Sequence, residues 1–399
     1  MEPDPATCTD LTGAVDADTT LGGGGECYIL KGIVKVSAKL TVEPGTWIFG
    51  NNAAPQGTLV VVPGGQLVAD GTAELPITFT SQQAKGTRAP GDWGGVMLLG
   101  NDVCNDATGD ALCEIEGLTD GTTFGNTAAN AEPNDNSGTL RYVRISFAGK
   151  DIDGAGNEIN SLTLGGVGSG TIISHVMVSN GLDDCFEWFG GSVNLDHIVA
   201  NNCGDDMFDT DSGYSGHAQF VFGRQVAPIT ADPNGFEMDN DKTTFSKPPV
   251  STPKFSNVTL CGSNNAAPIN PEVGMVLRNG TDGALINSII TNFATAAISL
   301  RNVSDTEITL SSSIAFGNTA IYDSKNETPS WFENGADNST EAPAGFGDCA
   351  ANPPAPFPAA KIPGATPTGY PDAAANYIGA FEDAADNWMT GNWIDWSTN

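Results

Sequence analysis

Three segments of the chain repeat one pattern, an aromatic residue followed by an acid: Phe186-Glu187, Phe208-Asp209 and Phe236-Glu237. A second acid stands two positions further on in the last two, at Asp211 and Asp239. The surroundings repeat as well, since His175-Val176 recurs as His197-Ile198 and Asp183-Asp184 as Asp205-Asp206, each 22 positions later. Carboxylates recurring at one point of a short repeat suit three kinds of chemistry. They can ligate a hard cation, Ca²⁺ above all in an extracellular setting, with loop carbonyls completing the shell. A pair at suitable separation can act as acid and base on a glycosidic bond. Or they can form a plain ladder, solvated or paired with the arginines that follow, Arg278 in Gly274-Met275-Val276-Leu277-Arg278 and Arg301 in Ala297-Ile298-Ser299-Leu300-Arg301. Like charges one strand apart cannot all ionise without compensation, which favours the cation. The expected Ca²⁺ ligands are Asp184, Glu187, Asp206, Asp209, Asp211, Glu237 and Asp239. Trp188, Arg278 and Arg301 are the expected contacts to a larger ligand, and Trp188 with Phe189 would form an aromatic platform beside the acids if they face outward. Were the chain an enzyme, Glu187, Asp209, Glu237 and Arg278 would carry the reaction.

A repeat of this length, with short strands and no segment of helical period, is the signature of a solenoid. Equal positions in successive coils then lie one strand spacing apart, roughly 4.8 Å. Side chains alternate along each strand, so Glu187, Asp209 and Glu237 form one outward column and Phe186 stacks on Phe208 inside. The same reasoning predicts an inward stack containing Ile173, Leu195 and Ile286, and a bend position shared by His175, His197, Asn257 and Ser288. The histidine pair suits a transition metal, but a shared polar bend explains it more simply. The predicted class is therefore all-β, a solenoid of stacked short strands.

Composition agrees with an elongated solenoid: 399 residues, with 49 glycines and 24 prolines to supply turns. Sixteen basic against 48 acidic residues give a formal charge of −32, which disfavours nucleic acid and anionic membranes as partners. No run is long and apolar enough to span a membrane. Eight cysteines fall in close pairs, Cys8 with Cys27, Cys104 with Cys113, Cys185 with Cys203 and Cys261 with Cys349. An even count without metal-ligand spacing favours disulfides and an extracytoplasmic address, secreted or on the outer cell surface. Glu2-Pro3-Asp4-Pro5 reads as the start of a mature domain after removal of an export signal.

Residues 1–27 read as an irregular N-terminal cap and 28–340 as the solenoid, with a polar loop insertion at 101–138. Residues 341–399 read as a Pro/Ala-rich crossing segment and a Trp-rich C-terminal cap or aromatic contact surface. An acid-rich turn is expected at Asp151-Ile152-Asp153-Gly154 and further loops at Pro228 to Asn234 and Lys242 to Pro253.

Leu40-Thr41-Val42-Glu43-Pro44-Gly45-Thr46 and Gly91-Asp92-Trp93-Gly94-Gly95-Val96-Met97-Leu98-Leu99-Gly100 resemble a family of exported bacterial parallel β-helix proteins of the pectin-lyase-like superfamily. Cys113-Glu114-Ile115-Glu116-Gly117, Tyr377-Ile378-Gly379-Ala380-Phe381 and Asn387-Trp388 are similar to it too. The resemblance implies a single right-handed parallel β-helix and a surface location; that fold hosts lyases, hydrolases, adhesins and scaffolds. The expectation is a non-catalytic Ca²⁺-binding surface protein that takes a glycan or another surface component. A polysaccharide lyase or glycoside hydrolase in the same groove is the alternative, and a self-assembling structural subunit the third.

Overall fold

The structure, a computed structural model, describes residues 1–23, 25–107, 112–151, 158–226, 233–263, 272–303 and 308–397. Ile152 to Gly154 of the expected acid-rich turn and Pro228 to Asp232 of the expected loop lie outside the described residues.

The chain winds as a right-handed parallel β-helix, each full coil giving one strand to each of three parallel sheets. The first sheet runs from Thr19–Leu21 through Lys39–Val42 and Gln66–Asp70 to the opening halves of the later long strands. The second continues from Cys27–Val36, Trp47–Gly50 and Ile77–Ser81 into their closing halves. The third runs from Thr58–Val61 through Gly95–Leu99, Leu162–Gly165, Phe186–Phe189, Phe208–Asp211, Phe236–Met238 and Val273–Arg278 to Ala296–Arg301.

The long strands bend between the first and second sheets at one residue held in the left-handed region: Tyr142, His175, His197, Phe220, Asn257 and Asn287, with φ of 50° to 61°. Asparagine tolerates that conformation best, because its short amide bonds locally. The bend therefore falls on Asn287, one residue before the predicted Ser288, and the inward stack is Ile173–Leu195–Ala218–Phe255–Leu285 rather than one through Ile286. Leu285 is fully buried, whereas Ile286 is half-buried.

Stacked side chains replace a globular core. Phe186, Phe208 and Phe236 pack at centroid distances of 5.4 and 5.3 Å, all fully buried. Such rings each contribute roughly 1.5–3 kcal/mol on burial.

Both ends differ from the expectation. Thr9–Val15 and Thr19–Leu21 are not an irregular lid: they pair in parallel register with Cys27–Val36 and Lys39–Val42 and form the first coil. The C-terminal segment is no cap on the helix end. It runs back along the flank as a strap, which Asn287 holds through Ala365 O at 2.9 Å and Asn257 through Tyr377 O at 2.7 Å. Gln219 holds it through Asp372 O at 2.9 Å, and near the first coils Asn392 reaches Glu74 O at 2.9 Å. The strap covers the outward column Met177–Val199–Phe222 of the second sheet, burying Trp393 and Phe381 against it. Trp331 and Phe332 of the short helix Trp331–Asn334 pack onto the core beyond the last strands. All four disulfides form as paired in the sequence.

Candidate metal centre in an acidic cleft

The outward face of the third sheet carries the repeated acids. Parallel register places Thr163, Glu187, Asp209, Glu237 and Val276 in one column, as the repeat requires. Phe186 and Trp188 point inward between these positions. Trp188 is fully buried, its ring stacked on Phe186 at 5.9 Å and on Tyr214 at 5.6 Å. It is a core residue and offers no ligand platform. Phe189, the next outward position, lines the cleft instead.

A second layer comes from the turn before each strand. Asp184 and Asp206, both almost wholly buried, each give one oxygen to the next coil. Asp206 N donates to Asp184 Oδ1 at 2.7 Å, and Asn234 N to Asp206 Oδ1 at 3.0 Å. Asn234 continues the ladder by accepting from Val273 N at 3.1 Å. These turn acids thus do the backbone work that aspartate does well.

The carboxylates gather in overlapping sets whose oxygens lie within 4.8 Å of one another: Asp184, Glu187 and Asp209; Asp206, Asp209 and Glu237; and, at the turn, Asp183, Asp184 and Asp205. Asp209 belongs to two of them. Among the described residues its buried Oδ1 has no hydrogen-bond partner, and neither has Oγ1 of Thr163, the fully buried residue directly above Glu187. Asn160 Nδ2 donates to Glu187. Burial first, and then the neighbouring negative charges, push Asp184, Glu187, Asp206 and Asp209 well above the usual carboxylate range. The same causes push Asp211 up to about 7. All these donors are oxygen, so the set fits a hard cation.

Asp211 and Asp239 do not join these sets. Asp211 lines the cleft, and Asp239 is bound by Arg278 Nε at 2.9 Å. Arg278 also pairs with Glu237, so the arginine closes the lower end of the acid column. Arg301, one coil below, binds Asp323 at 3.1 Å and Ser299 at 2.8 Å and has no place in the cleft, against the expectation that it meets a ligand.

Two loops raise walls around this floor, enclosing a cleft of about 600 Å³. One is the 101–138 insertion, which is not free-standing. Its strands Cys113–Glu114 and Thr123–Phe124 pair antiparallel, the Cys104–Cys113 disulfide staples them, and Phe124 packs at 6.4 Å from Phe189. It brings Glu114 and Glu116 to the cleft. The other is the segment after Asp239, which contributes Asp241 and Lys242. Sequence reasoning missed Glu114, Glu116 and Lys242 as cleft residues; of the aromatic platform expected at Trp188 and Phe189, only Phe189 faces the cleft.

A family model described as a pectate-lyase like beta helix domain matches residues 13–349. No curated protein matches the chain. Among solved structures, the chain is similar to the full-length tailspike protein 2 from the Escherichia coli O157:H7 bacteriophage CAB120, at 10% identity and a TM-score of 0.25. That match covers 73% of this chain and 35% of the tailspike chain.

Proposed function

The chain belongs to the pectate-lyase-like β-helix family, and from that footing we propose that it is an exported surface protein that binds Ca²⁺ on the floor of the acidic cleft and a glycan above it, without cleaving the glycan. The observation that carries the reading is Asp209, shared by two carboxylate sets with one buried oxygen that has no hydrogen-bond partner among the described residues. Asp184, Glu187, Asp206 and Glu237 are the other ligands. A divalent ion there would offset the desolvation of several carboxylates at once, which Arg278 at one end does only locally. The four disulfides support export. The open cleft, with Phe189 beside polar and charged groups, supports a sugar ligand. Lyase chemistry is disfavoured because Arg278 is already tied to Glu237 and Asp239.

Calorimetric titration of chelator-treated protein with Ca²⁺ tests the proposal. Binding in wild type and its loss in Asp209→Asn, with folding intact, is the expected result; equal binding by both would remove the site. One observation favours a second reading, a glycoside hydrolase: Asp211, raised to about 7, suits a proton donor at neutral pH. That reading predicts release of reducing ends from polysaccharides, abolished in Asp211→Asn, whereas the binding reading predicts none.

A further inference from the structure

A second cluster of metal-ligating groups lies on another flank, at the bend between the first and second sheets. His175 and His197 occupy this bend in successive coils, both in the left-handed region, with rings 4.4 Å apart and nearly parallel at 12°. The residue before each bend turns toward the same spot. Ser174 Oγ lies 2.8 Å from His175 Nδ1 and donates to Asp196 Oδ1 at 2.6 Å. Asp196 Oδ1 in turn lies 2.6 Å from His197 Nδ1. Both imidazoles therefore aim Nδ1 at one carboxylate and one hydroxyl, and the His175, Asp196 and His197 donors lie within 4.8 Å of one another.

We propose that His175, His197 and Asp196, with the Ser174 hydroxyl as fourth donor, form a binding site for a first-row transition-metal ion such as Zn²⁺. Two imidazole nitrogens and a carboxylate oxygen are donors zinc takes at about 2.0–2.2 Å, and the hydroxyl stands at the fourth place, which catalytic zinc sites give to water or substrate. Binding turns each ring out of the stack, so that its in-plane Nδ1 lone pair meets the ion, and spreads donors now in hydrogen-bond contact. The nitrogen donors select zinc, copper or nickel over Ca²⁺, so the two candidate centres differ in hardness as well as in place. The backbone preorganises the set: parallel pairing of Ser174 with Asp196 and of Val176 with Ile198 fixes the rise between the two rings. Tyr142 above and Phe220 below continue the stack at 4.5 and 4.6 Å.

The later coils show what this bend does without histidine. There Asn257 and Asn287 spend their amides on the backbone of the C-terminal strap. The histidines meet the strap through ring edges, Trp393 at 5.3 Å from His175 and Trp388 at 5.1 Å from His197. Their Nδ1 atoms face Ser174 and Asp196 instead, inside the proposed shell.

Asparagine holds the same bend elsewhere, so His197→Asn and His175→Asn are substitutions the backbone accommodates. The test titrates chelator-treated full-length protein with ZnCl₂ alone, by calorimetry and thermal shift, and records the electron paramagnetic resonance spectrum after loading Cu²⁺. Saturable Zn²⁺ binding that weakens at least tenfold in His197→Asn and His175→Asn is expected. So are an unchanged metal-free melting temperature, an unaffected His217→Asn control and copper coupled to two nitrogens. Asp209→Asn should leave the Zn²⁺ response intact, which separates this site from the acidic cleft. Zn²⁺ binding equal in wild type and both variants, binding no tighter than millimolar, or copper without nitrogen coupling would overturn the proposal.

Discussion

Asp209 stands where two carboxylate sets meet, and what surrounds it fixes the sign of the pH response. Asp211, raised to about 7, and Asp184, Glu187, Asp206 and Asp209, all raised by burial and then by their neighbours, hold protons in the folded state that the unfolded chain releases near ordinary carboxylate values. The contribution of Asp211 is complete below about pH 4 and is lost as pH rises through about 7, and that of the other four, shifted the same way, is lost as pH rises above the ordinary carboxylate range. Metal-free protein should therefore melt at a lower temperature at pH 8 than at pH 5, and Ca²⁺ should narrow the gap; scanning calorimetry with and without chelator checks this. Arg278 works at the same scale. Its replacement by glutamine strands Glu237 and the nearly wholly buried Asp239, and the expected cost is about 3 kcal/mol or more, read from urea unfolding. The acid column was legible in the sequence because Phe-acid dipeptides recur at one spacing. The burial of Trp188 followed from the same alternation once Phe186 is placed inside. Arg301 misled because register alone does not reveal a nearer acid, Asp323, on a later turn.

At the scale of the strand, the coils depend on stacked rings and on bends that few residues tolerate. Phe208 has Phe186 on one side and Phe236 on the other, so Phe208→Ala opens a cavity in the middle of the stack. The expected loss is about 3–5 kcal/mol, measured by denaturant unfolding. The one-residue slip in the sequence reading at Leu285 to Ser288 has a plain cause. Leu285-Ile286-Asn287-Ser288-Ile289-Ile290 places apolar residues at both parities, so alternation alone does not set the register there. Asparagine at the left-handed bend, Asn257 and then Asn287, was the better marker. The loops that wall the cleft were legible as insertions, at 101–138 and from Lys242 onward, but which of their side chains reach the acids was not. Glu114 and Glu116 reach it through a stapled loop, and loops follow no period that sequence can report.

Over the whole molecule, the solenoid leaves its third sheet open for the cleft and closes its second sheet with the C-terminal strap. The strap is fastened by the Cys261–Cys349 disulfide, by Asn257 and Asn287, and by aromatic contacts such as Phe381 on Phe222 at 6.0 Å. A chain ending at Thr340, with Cys261→Ser, would expose Met177, Val199 and Phe222. It should melt at a lower temperature and bind a hydrophobic dye that the full chain excludes. The fold class was readable because a parallel β-helix repeats its sequence with its structure; the crossing segment was readable from its Pro/Ala composition and the Cys261–Cys349 pair, but its run on to the first coils, where Asn392 meets Glu74, was not. The most direct test of the acidic cleft as a metal centre is calcium analysis of the purified protein, coupled to thermal unfolding before and after chelation. Calcium in near-stoichiometric amount, with a lower melting temperature once it is removed and recovery on adding it back, is the predicted result. Protein that carries no calcium, takes none up and melts at one temperature throughout would contradict it.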